Sequence, residues 1–142
     1  MVDAQTVVER LEALKSYLAE LDHYARLSLQ ELTHDFVTYR AAEHSLQLAA
    51  QIVIDIATHV VTADSTTRVH NYHQAIELLG EIGVLPVDFA RRLASIAGLR
   101  NILVHEYLDV DPEKLYSILV NGRADLRLFG QYIADYLERI EG

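Results

Sequence analysis

Apolar side chains recur at helical spacing over residues 4–29: Val7, Val8, Leu11, Leu14, Leu18 and Leu21 line one face while charged residues fill the others. Asp3, just before them, is a plausible N-cap. Residues 35–62 make a longer and more apolar segment. Its polar residues His44, Gln47, Gln51, Asp55 and His59 (or Thr58) fall three or four apart and draw one narrow stripe. That stripe is either the solvent edge of a core helix or one wall of a polar groove.

Residues 63–70, rich in small polar side chains, predict a loop. A short helix is expected from Tyr72 to Glu81, with Gly83 as its C-terminal cap. Pro86 opens the next helix, because its missing N–H costs nothing in a first turn. That helix runs through residues 100–107. Asp111, Pro112 and Glu113 then read as N-cap, first helical position and dipole-matching charge of a last helical region that reaches Ile140, with a break near Asn121–Gly122. "QIVIDI", residues 51–56, has strand-like composition, but the segment around it is too long and its period too helical. The expectation is an all-α, antiparallel bundle of four to five helices, forming a single domain over residues 1–142.

Composition agrees. A chain of 142 residues with 51% hydrophobic residues can bury one core, and 6 glycines and 2 prolines supply few breakers. No cysteine is present, which excludes disulfides, thiolate nucleophiles and cysteine-ligated zinc and fits a reducing, cytoplasmic setting. The first residues carry charges and have no apolar signal-peptide core, and no uninterrupted apolar run approaches the roughly 18 residues of a membrane span. No membrane association is therefore expected. The net charge of −9 argues against a broad nucleic-acid-coating surface, and no DNA binding is expected. A few local arginines could still hold a phosphate.

Candidate chemistry concentrates in "RNILVHEY", residues 100–107. At 100° per residue, Phe89, Leu93, Ile96, Arg100, Leu103 and Tyr107 share a stripe, so Arg100 interrupts an apolar face. Ala90, Ala94, Ala97, Asn101 and His105 form the neighbouring stripe, on which Asn101 and His105 can touch. Arg100 and His105 are roughly 140° apart round a regular helix. They would converge through fraying near His105, a swing of the arginine, or a second subunit. A bland reading also exists: a terminal histidine caps carbonyls, and an arginine on an apolar stripe snorkels or pairs.

Arg100, Asn101, His105 and Tyr107 match the R-X4-H-X-Y motif of the HEPN superfamily (higher eukaryotes and prokaryotes nucleotide-binding domain). "YRAAEHSLQLAAQIVIDIATHVV", "HNYHQAIELLGEIGVLP" and "FARRLASIAGLRNILVHEYLDVDPEKLY" resemble successive helices of HepT-type members, over about residues 35–120. The resemblance implies a HEPN-like fold and a metal-independent ribonuclease toxin, with no cofactor, acting as a homodimer with the motif at a cleft between subunits. It implies a nucleotidyltransferase antitoxin of the MNT type as partner, adding AMP to the motif tyrosine, here Tyr107. Transfer RNA is the implied target.

The residue types suit that chemistry. RNA supplies its own nucleophile, the 2′-hydroxyl. Histidine can move protons near neutrality, which assigns proton transfer to His105. Arginine stays charged and grips phosphate oxygens with a planar fork, which assigns phosphate binding to Arg100. Asn101 would orient His105 or bind phosphate, and Tyr107 would help position RNA. A bulky anionic nucleotide on Tyr107 would block the cleft and repel RNA. Arg91, Arg92, Arg123 and Arg127 are either outer RNA contacts or surface ion pairs.

Two other readings compete. Some HEPN proteins are inactive binding subunits for nucleotidyltransferases. A metal site is the other: His70 with His73, and Asp55 with His59, have ligand-like spacing, but no third ligand is evident. Tyr17, Tyr24, Tyr39, Tyr132 and Tyr136 are expected at the core edge or a dimer interface.

Overall fold

Asp3 stops its own backbone from joining a helix and caps the next one: its carboxylate accepts the Thr6 N–H at 3.2 Å. Helix α1 then runs Ala4–Ala25 and buries Val7, Leu14, Leu18 and Leu21. The computed structural model describes residues 1–64, 68–105 and 110–141. Among them are eight helices and no strand.

The all-α bundle expected from periodicity is present. It has more helices than four or five because two of the expected segments are broken and the last divides at Gly122. The first ends at Ala25 instead of residue 29. Ser28 opens a separate short helix, α2 (Leu29–His34), through a reciprocal capping box: the Ser28 hydroxyl accepts the Glu31 N–H, and the Glu31 carboxylate accepts the Ser28 N–H, both at 3.0 Å. The segment from Pro86 is split into α5 (Val87–Leu93) and α6 (Ile96–His105). Between them the Ser95 hydroxyl bonds the Arg92 carbonyl at 3.0 Å, offering that backbone a local partner in place of the helical ladder. Pro86 is the N-cap of α5 and lies just outside the helix.

Helix α3 (Phe36–Asp64) is the axis of the bundle, packed against α1, α2, α4, α6 and α8. An 18-residue window of α3 reaches a mean hydropathy of 1.4, enough by length and composition to cross a membrane despite its lack of an uninterrupted apolar run. Here most of its apolar residues face protein: Ala49, Val53, Ala57, Val60 and Val61 are fully buried, while Phe36 and Val37 at its start are exposed. Each large aliphatic side chain withdrawn from water in this way contributes about 1.5–3 kcal/mol.

Helix α4 (Tyr72–Glu81) ends where expected. Gly83 follows with φ +83°, a left-handed conformation that glycine adopts without a Cβ penalty. Helix α7 (Pro112–Asn121) starts under an Asp111 cap, with the carboxylate accepting the Glu113 N–H at 3.0 Å. Gly122 separates it from α8 (Arg123–Glu141), at the expected break. Polar ties close the bundle. Tyr136 on α8 donates to Asp64 at 2.9 Å, Tyr116 on α7 donates to the Leu27 carbonyl at 2.6 Å, and Asp22 on α1 accepts from both Arg123 (2.6 Å) and Arg127.

Candidate functional site

The turn at Ser95 interrupts the helix, but the expected stripe continues across it: Phe89, Leu93, Ile96 and Leu103 are buried, and Arg100 lies half-buried between the last two. Arg100 is there turned toward α3. Its Nε donates to the Gln51 Oε1 at 2.7 Å, and one terminal nitrogen donates to the Asn101 Oδ1 at 3.2 Å. The Gln51 amide nitrogen donates in turn to Asp55 at 2.8 Å. The carboxylate can only accept and the guanidinium can only donate, so together they set which way the amide faces. The polar stripe on α3 is thus, at its centre, a wall of the Arg100 site.

Among the described residues both hydrogen-bond partners of Arg100 are neutral amides, and no carboxylate pairs with it. Other arginines differ. Arg92 grips Asp125 through two bonds of 3.0 and 3.1 Å, and Arg123 and Arg127 share Asp22. Three of the four candidate outer contacts are therefore structural ion pairs joining α8 to α5 and α1. Arg91 is exposed, with no ion pair to a described residue. A half-buried guanidinium held on one edge by amides, with donors to spare and its full charge, is suited to a phosphate.

His105 is the last residue of α6. It is exposed and makes no hydrogen bond or ion pair with another described residue. The helix is regular up to it, so fraying does not bring it round to Arg100. Asn101, expected to reach His105, instead turns its oxygen to Arg100 and belongs to the arginine's cradle. Tyr107 lies outside the described residues.

Beside Arg100 a groove of about 740 Å³ opens between the start of α4 and α6. Residues 70–73 form one side, and Ala97, Gly98 and Asn101 the other. The Tyr72 ring centre is 5.5 Å from the Arg100 guanidinium carbon, within cation–π range. Asn71 caps α4, accepting the Gln74 N–H at 2.8 Å. The His70/His73 pair does not form a ligand set: the His73 Nδ1 faces Glu77 at 2.9 Å, and no cluster of three or more metal-ligating side chains occurs among the described residues. Asp55 and His59 serve different partners, Gln51 and the backbone N–H of Asp3 (3.0 Å).

Reasoning from sequence missed Tyr72 and Gln51 as site residues. Gln51 carried a signal, its place in the α3 stripe. Tyr72 carried none, since its role depends on where α4 packs.

The family model for ribonuclease HepT-like proteins matches residues 14–133. The tRNA nuclease HepT of Aphanizomenon flos-aquae is 29% identical over 140 residues, which is 99% of this chain and 95% of that protein. A putative RNase of Archaeoglobus fulgidus is 28% identical over 134 residues, 94% of this chain and 95% of that one. The fold is shared with the tri-AMPylated HEPN toxin of Shewanella oneidensis in complex with its MNT antitoxin (TM-score 0.82, 19% identity, 91% of this chain and 96% of that chain). It is shared as well with YutE of Bacillus subtilis, a cytosolic protein of unknown function (TM-score 0.83, 21% identity, 97% and 92%).

Proposed function

The chain belongs to the ribonuclease HepT-like family of the HEPN superfamily, and we propose that it is a metal-independent endoribonuclease toxin that cleaves transfer RNA in the cytoplasm as a homodimer. The observation that carries this reading is Arg100, paired with no carboxylate among the described residues, five residues before an exposed His105 that none of them engages, on one helix.

Cleavage starts at the RNA 2′-hydroxyl. Its oxygen forms a bond to the adjacent phosphorus while the bond to the 5′-oxygen breaks, leaving a 2′,3′-cyclic phosphate and a 5′-hydroxyl. His105 takes or returns the proton, and Arg100 binds the non-bridging oxygens as charge builds on them. Asn101 and Gln51 hold the guanidinium at this task. Arg100 and His105 point to different sides of α6, roughly 140° apart, which favours a site completed by a second subunit at the dimer interface. No step calls for a metal.

The partner is an MNT-type nucleotidyltransferase antitoxin. It transfers the adenylyl group of ATP to the hydroxyl oxygen of Tyr107, with pyrophosphate leaving. The added bulk and negative charge then shut RNA out. Similarity to the Aphanizomenon tRNA nuclease supports the transfer-RNA target, and the fold shared with the Shewanella toxin–antitoxin complex supports this partner class.

The test is cleavage of transfer RNA in EDTA by the wild type, Arg100→Ala and His105→Ala, with intact mass recorded for each. Cleavage by unmodified wild type alone supports the reading. Intact RNA with unmodified wild type overturns it in favour of a non-catalytic binding subunit.

A further inference from the structure

The groove next to Arg100 has features that phosphate chemistry does not use. Tyr72 is the first residue of α4 and 39% exposed, so a broad aromatic surface stays open to solvent beside the guanidinium. Across the groove, Gly98 lies inside α6 with no positive φ, and a Cβ added there would meet nothing within 4 Å. Neither backbone nor packing requires glycine at this position, although glycine weakens a helix interior. Its missing side chain leaves the groove floor flat, and Ala97 keeps the adjacent floor low. The rim is polar and mostly neutral, with Asn101 and His70; the nearby Glu77 is engaged by His73. About 740 Å³ falls in the ~300–1,000 Å³ range of small-ligand sites.

A slot with an aromatic wall, a flat floor and a polar rim, adjoining an unpaired cation, fits a planar heterocycle linked to a phosphate. We propose that this groove is a base-binding subsite, in which one unpaired nucleobase next to the phosphate on Arg100 stacks on Tyr72 above Ala97 and Gly98. The proposal rests on the ribonuclease reading for the identity of that phosphate. It adds a rule about substrate: the linkage cut must lie in a loop or other single strand, because a paired base cannot enter the slot. Tyr72 is a specificity-determining residue and takes no part in proton transfer.

The test uses fluorescence anisotropy with an uncleavable, 2′-O-methylated single-stranded octamer and an abasic octamer of the same length, with cleavage of unmodified RNA measured in parallel. Tyr72→Ala is expected to weaken the base-containing octamer about tenfold and to leave the abasic one unchanged, since one aromatic–base stack is lost. Tyr72→Phe restores most of the affinity. Gly98→Leu weakens base binding as Tyr72→Ala does while melting no lower than wild type, because leucine is the better helix former and a Cβ at this position meets nothing within 4 Å. In cleavage, Tyr72→Ala raises KM and spares kcat. Equal losses on both octamers, or none on either, overturn the subsite. A wild type that binds bases through Tyr72 but cuts no RNA sinks the nuclease and keeps the subsite. Unaltered KM in Tyr72→Ala sinks the subsite and keeps the nuclease.

Discussion

Gln51 and Arg100, on α3 and α6, share a 2.7 Å hydrogen bond, and Asp55 at 2.8 Å holds the far end of the same amide. A neutral side chain therefore fixes the edge of the guanidinium without spending its charge. Removing an electrostatic group outright from such a site costs about 10²–10³ in rate. Loosening it costs less. Gln51→Leu is expected to lower kcat about tenfold with little change in KM. Gln51→Glu places a carboxylate against Arg100 and should lower activity further, through both kcat and KM. Steady-state cleavage of transfer RNA by the two variants checks this. Equal activities would show that the charge of Arg100 is not what the site uses.

Because Arg100 and His105 face different sides of α6, mixing inactive variants distinguishes a shared site from a self-contained one. If each site takes Arg100 from one subunit and His105 from the other, dimers reassembled from equal amounts of Arg100→Ala and His105→Ala recover about a quarter of wild-type activity. The arithmetic is half of the dimers mixed, with one intact site in two. Recovery below a few per cent after verified subunit exchange would place both groups in one subunit.

The Asp22 carboxylate is pushed up by burial and pulled down further by hydrogen bonds from Arg123 and Arg127, so that it ends below the usual aspartate value. A lowered folded value means the contribution is fully present above the unfolded pKa, near about 4, and is lost as pH falls through the folded value. The three side chains are partly exposed, which limits the contribution to about 1 kcal/mol. Asp22→Asn should lower the unfolding free energy measured in urea at neutral pH by that amount, and the difference should shrink in strong acid. A gap that persists unchanged at about pH 2 would assign the loss to packing instead.

Tyr136 is buried on α8, and burial together with its hydrogen bond to Asp64 pushes the phenol up to about 12. The neutral form is the one the fold favours. Its contribution is present below the ordinary tyrosine value of about 10 and is lost as pH rises from there through the folded value. Titration followed by phenolate absorbance should show a late-ionising component to which Tyr39, also pushed up by burial, contributes, and which shrinks by one tyrosine in Tyr136→Phe. That variant should also lose about 1 kcal/mol of stability at neutral pH, for one hydrogen bond removed.

Most of the local structure was legible in the chain. Asp3 and Asp111 announce helix starts because a short carboxylate can accept the backbone N–H groups that a first turn leaves free. Gly83 announces a stop because only glycine takes its φ without cost. The Ser28–Glu31 capping box was equally legible, as a serine three residues before a glutamate, and it divides what periodicity alone joins. The turn at Ser95 was less so. "RRLASI" carries no glycine or proline to mark a break, and at the interruption the Ser95 hydroxyl bonds the Arg92 carbonyl.

At the site, the sequence by itself determined the motif residues and their spacing, and hence the chemistry they can carry, because an arginine's charge and a histidine's proton exchange are intrinsic to the side chains. It also determined the family, through a pattern that runs over residues 14–133. Only the tertiary structure decided that Asn101 serves Arg100, that Gln51 steadies the guanidinium, and that Tyr72 stands beside it. Those relationships join residues 28 to 49 positions apart, or depend on which rotamer a crowded side chain adopts. Helical periodicity describes one helix at a time. Which stripe meets which is settled when the apolar faces of α3, α4 and α6 pack together, and the polar residues at their edges then take the partners that packing leaves within reach.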